Sequence, residues 1–93
     1  MSLCYTGNMV TTLAIDRTQT GVRIATPLLK VLKALAEYKD MSLGDLLEGI
    51  VLHAFEGKCA FSDDTLATIA KLSEIYGCTL TSRDSHRLGD AED

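Results

Sequence analysis

The sequence predicts a mainly α-helical fold with one short β-strand near its start, and three observations carry that expectation. Apolar residues recur at helix spacing in three stretches, over 27–39, 43–56 and 62–76. Capping or stop residues (Ser42, Gly57, Ser62, Gly77) bracket the second and third of them, and Thr26-Pro27 opens the first. The five residues Gly21 to Ala25 alternate like a strand and reach the first helix with only Thr26 between. A chain of 93 residues is one small domain, and a domain near this size buries only about 60–65% of its unfolded surface. The apolar content is 46%, yet aromatics are few, with two Phe, three Tyr and no Trp. A second copy of the chain is a natural place to bury what one copy cannot.

The formal net charge of −4 argues against strong non-specific attraction to nucleic acid when taken as a sum. The acids are unevenly placed, however: only Asp16 is acidic before Glu37, whereas three of residues 90–93 are acids. Local sign therefore matters more than the total. Cys4, Cys59 and Cys78 have no close pairing and make no disulfide framework, so a reduced cytoplasm is the expected compartment. No apolar run is long enough for a membrane span and no signal-peptide pattern is present, so no membrane partner is expected.

Taken in order, residues 1–17 read as an N-terminal arm, with Val10 to Asp16 rich enough in β-formers for an additional strand. Thr26 is expected to cap the first helix and Pro27 to occupy its first position, where a missing N–H costs nothing. Leu28, Val31, Leu32, Leu35 and Ala36 share one face, with Lys30, Lys33 and Glu37 turned away. Ser42 caps the second helix, with Asp45 three residues on as a shortened capping pair. Leu43, Leu46, Leu47, Ile50, Val51, Ala54 and Phe55 give that helix a broad apolar face, while Gly44 and Gly49 suggest close backbone approach. Ser62-Asp63-Asp64 starts the third helix, Leu66, Ile69, Ala70, Leu72 and Ile75 form its face, and Gly77 ends it. Residues 78–93 show no packing pattern and are expected to be mobile.

A strand that feeds straight into two helices joined by a tight turn cannot complete a sheet by itself. It can if a second subunit lays the same strand antiparallel beside it while four helices interlock into a shared core. The strand "GVRIA", the start "TP", the helix "LLKVLKALAEYK", the turn "DMS" and the helix "LGDLLEGIVLHAF" together resemble the ribbon-helix-helix family of bacterial and archaeal DNA-binding proteins. "LKVLK" and "LHAF" look most like its methionine-repressor branch. The resemblance covers 18–57 as the domain, leaving 58–93 as a C-terminal helix and an acidic tail. It implies an intertwined homodimer with an intersubunit antiparallel β-ribbon and an extra C-terminal helix. The dimer core would hold Val22, Ile24, Leu32, Leu35, Leu46, Leu47, Ile50 and Val51.

In that family the paired strands enter the major groove, where base edges distinguish every pair. With Val22 and Ile24 turned to the helices, Arg23 stands outward, with Gly21 and Ala25 beside it and Gln19 further back. The resemblance therefore makes Arg23, Gln19, Gly21 and Ala25 the base-contact positions. It gives Ser42 and the backbone N–H groups of Leu43 and Gly44 the grip on phosphate, helped by the helix dipole. Gly21 and Ala25 flank a single long polar side chain here, and Asp45 lies close to the phosphate position. The expected function is a prokaryotic, sequence-specific transcriptional regulator of repressor type, binding double-stranded DNA as a homodimer. The alternative is an antitoxin- or adaptor-like module that keeps the dimer and takes a protein partner or effector through the C-terminal helix.

Other groupings read as structure rather than chemistry. His53 beside Ala54 and Phe55 is expected to be a half-buried, hydrogen-bonded residue. Cys59, Cys78, His53 and His86 lack ligand spacing, so neither metal nor cofactor is expected. "SRDSH" places Ser, Asp and His almost adjacent, whereas catalytic triads converge from separate parts of a fold. No enzyme is expected.

Overall fold

The computed structural model describes residues 14–89. Three α-helices follow one another: α1 (Thr26–Tyr38), α2 (Leu43–Phe55) and α3 (Asp63–Tyr76), with a short 3-10 turn at Ser82–Asp84. Each α-helix lies within one residue of its expected ends. Cys4 and most of the candidate strand over 10–16 fall outside the described residues.

The caps explain those boundaries. The Ser42 hydroxyl accepts the Asp45 N–H at 3.1 Å and the Ser62 hydroxyl accepts that of Thr65 at 3.2 Å. Each hydroxyl satisfies a first-turn donor that has no carbonyl partner within its helix. At α1 the expectation fails: Ala25 holds the cap position without a side-chain bond, and Thr26 is already helical. Pro27 still falls in the first turn, where its missing N–H leaves no intrahelical bond unmade.

All three α-helices end alike. At the close of α1 the Met41 N–H reaches the Ala36 carbonyl at 3.0 Å and the Asp40 N–H reaches Glu37 at 3.1 Å. This double closure needs one residue in the left-handed region. Gly57 (φ 70°) and Gly77 (φ 68°) supply it after α2 and α3, whereas α1 uses Asp40 (φ 59°).

The core is small and sits around α1. Leu35 is 1% exposed, Leu46 on α2 is 5% exposed, and Ala36 is buried with them. Leu32, Ile50, Phe61, Ile69 and Leu72 pack around this centre. α1 packs more extensively on α3 than on α2. Ile69 and Leu72 therefore spend the inner face of α3 within the chain rather than on a partner.

Two expectations are corrected. Among the described residues there is no strand, and residues 14–25 run without regular secondary structure. The physical reason lies in the ladder itself: a strand exists only when a neighbouring backbone takes its N–H and C=O groups. No described backbone offers that edge here. Residues 81–87, expected without a packing pattern, also hold a capped turn. The Thr81 N–H donates to the Asp84 carboxylate at 2.8 Å, and the Arg83 N–H donates to the Thr81 hydroxyl at 3.3 Å. This reciprocal cap holds the 3-10 turn.

Candidate functional site

The extended segment before α1 divides two clefts. The first is lined by Thr18 to Val22 and Ile24 on one side and by Leu29, Lys33, Leu43, Gly44 and Leu47 on the other. The second runs along Val22 to Pro27 and Leu29 and is closed by Leu88 and Gly89. Val22 and Ile24 border both, while Arg23 borders only the second.

The four base-contact candidates do not line one common cleft, although strict alternation would have put them on one side. Gln19 and Gly21 line the cleft shared with α2, and Arg23 and Ala25 line the other. Gln19, Gly21 and Arg23 are exposed, and Ala25 is half-buried because its carbonyl accepts the Leu29 N–H at 2.9 Å. The phosphate candidates Leu43 and Gly44 do meet Gln19, Gly21 and Lys33 in the first cleft. Ser42 is exposed beside them with its hydroxyl engaged as the α2 cap.

Sequence reasoning missed Arg17. Its guanidinium donates to the Glu48 carboxylate at 2.8 Å and to that of Asp45 at 3.4 Å, linking the extended segment to α2. The two acids are three residues apart and so stand one above the other on the helix. The acid pair can be read on α2, but nothing in the sequence says that Arg17, 28 and 31 positions away, reaches it. The pairing also offsets the Asp45 charge next to the α2 N-terminus. From Arg17 to Ala36 the chain carries four cations (Arg17, Arg23, Lys30, Lys33) and no acid. The stretch itself is thus positive in a protein whose sum is negative, although Asp45 and Glu48 stand against Arg17.

The dimer-core candidates separate into two groups. Leu35 and Leu46 are buried within the chain, and Ile24, Leu32, Leu47 and Ile50 are half-buried. Val22 is 73% exposed, and Val51 is exposed together with Leu52, Phe55 and Ile15. Ile15, Leu47, Val51 and Leu52 line a common apolar recess, bordered by Arg17 and Glu48. This outer flank of α2 is open in the single chain.

The remaining candidates are placed as follows. His53 is exposed rather than half-buried, and its Nδ1 lies 2.7 Å from the Gly49 carbonyl of the preceding turn. The Cys59 thiol donates to the Phe61 carbonyl at 3.2 Å. Among the described residues no three His, Cys, Asp or Glu side chains converge as a metal cage. No described helix is long and apolar enough to cross a membrane. Compared with protein-family models, curated proteins and solved structures, the chain matches none of them.

Proposed function

We propose that the chain is a homodimeric, sequence-specific DNA-binding regulator whose residues 21–25 pair with those of a second copy to form a β-ribbon. One observation carries the reading: the extended segment and the adjoining flank of α2 are both left unfinished on the same side of the chain. Residues 14–22 and 24 make no backbone–backbone hydrogen bond among the described residues. Val22, Val51, Leu52 and Phe55 stand in solvent. A second copy laid antiparallel supplies the missing ladder and covers the apolar flank in one step. The strand pair would then carry two copies of Arg23 on a stretch whose own residues, 17 to 36, include no acid. A ribbon of that kind fits the major groove, where Arg can donate two hydrogen bonds to guanine.

The competing role, a protein-binding module acting through α3, draws on the exposure of Leu66 and Ile75. It is weakened by the use of Ile69 and Leu72 in the chain's own core. Selection of bound fragments from random DNA, repeated with Arg23→Ala, separates the two. The regulator reading expects a recurrent half-site in two symmetric copies. It also expects a loss of about 1–3 kcal/mol per Arg23 contact, with relaxed preference at one position of each half. Failure to enrich any sequence, with α3 capturing a protein instead, would replace it.

A further inference from the structure

The sequence reading expects a close neighbour at Gly49, and the described residues supply none. A Cβ added there would meet no atom within 4 Å, yet a glycine inside a helix weakens it relative to alanine. The space it leaves belongs to a cavity of about 200 Å³ where the turn after α1, the inner side of α2 and the link to α3 meet. Met41, Leu46, Ile50 and Phe61 make its walls mainly apolar. The bare backbone at Gly49 is satisfied: a carbonyl only accepts, so His53 Nδ1, 2.7 Å from the Gly49 oxygen, turns its hydrogen toward it. Two charged side chains border the cavity, Lys39 and Asp45. Asp45 has a cation in Arg17 at 3.4 Å, whereas the Lys39 ammonium makes no ion pair among the described residues. Gly49 and His53, four residues apart, share a side of α2, and Val51, two beyond Gly49, projects from the opposite one. The cavity is therefore clear of the outer flank.

We infer that this cavity binds a small apolar carboxylate, its ring or branched chain beside Gly49 and its charge against Lys39. Size suits a single ring, since a cavity of about 150 Å³ admits benzene. Charge sets the class: one unpaired ammonium bordering an apolar hollow favours one anionic head on an apolar body. The glycine lets that body lie against helix backbone, an approach that a side chain at 49 would block. The site lies off the dimer flank and stands without the DNA-binding reading.

Benzoate is the probe and benzyl alcohol its neutral counterpart, each titrated into the full chain at constant ionic strength and followed by amide NMR. Benzoate should shift the amides of Leu46, Gly49, Ile50 and Phe61 saturably, with a Kd on the order of 0.1–1 mM. Gly49→Leu fills the hollow with a good helix former and should weaken benzoate at least about tenfold. Lys39→Gln should weaken benzoate about two- to fivefold, the scale of one exposed ion pair, and leave benzyl alcohol unchanged. Shifts that stay linear with benzoate to far above that Kd overturn the site. So does a Gly49→Leu protein that keeps its helical circular dichroism and binds benzoate as the parent does. Whether or not Gly49→Leu folds, benzoate binding unchanged by Lys39→Gln overturns the carboxylate assignment.

Discussion

The inner and outer flanks of α2 are made of the same residue types and meet opposite surroundings. On the inner flank Leu46 is 5% exposed and Ile50 packs with it against Leu35 and Ala36 of α1. On the outer flank Val51 lies one turn beyond Leu47, and Phe55, one turn further, is 82% exposed. Composition does not separate the flanks; the number of neighbours does. An apolar face wider than one helix can cover demands a second surface, and the described residues provide one only on the inner flank.

Substitutions on the two flanks should therefore fail in different ways. Leu35→Ala removes the most buried side chain and should cost about 2–5 kcal/mol, the range for a cavity in a close-packed core. Chemical denaturation should show that loss at every protein concentration. Val51→Asp is close to harmless in a lone chain, but in a dimer it buries two unpaired carboxylates. It should lower association by several kcal/mol, at least about 2. The parent's melting temperature should rise with protein concentration and the variant's should not. Identical concentration dependence in both would mean that the outer flank is uncovered in solution.

Smaller effects sharpen the same contrast. Asp40→Gly relieves a left-handed backbone and removes a negative charge from the C-terminal end of α1. It should stabilise by about 0.5–1 kcal/mol, and a lowered melting temperature would show that the Asp40 side chain supplies something the backbone argument omits. Arg17→Ala deletes exposed ion pairs and should change stability by at most about 0.5 kcal/mol. Its more sensitive readout is amide exchange in residues 14–19, which should quicken as the segment loses its tie to α2.

The helices were legible because local signals determine them: the Ser42 and Ser62 caps, the stops at Gly57 and Gly77, and a stripe between each pair. Their pairing was not, since periodicity says which face is apolar and not which neighbour covers it. That α3 presses on α1 depends on the path of residues 56–62, for which the sequence carries no distance information. The link from Arg17 to Asp45 and Glu48 spans 28 and 31 positions and escapes any local pattern for the same reason. The Thr81–Asp84 cap was readable, as Thr with an acid three residues on is a recognised start signal. The polar composition around it hid the signal. The strand at 21–25 is a different case: its alternation is present, but a ladder is a property of two segments.

Ala25 has a consequence for how the protein could change over time. It is both the end of the extended segment and the cap of α1, with its carbonyl already in the first helical bond. No flexible residue separates the two elements, so the helix acts as the handle of whatever blade the segment forms. A rotation of α1 in its bed of α3 side chains would swing Arg23 by the same angle. Packing substitutions at Leu32 or Ile69, far from any ligand, would then re-aim the segment rather than merely weaken the fold. Altered selectivity could thus arise in the core while every exposed residue stayed the same.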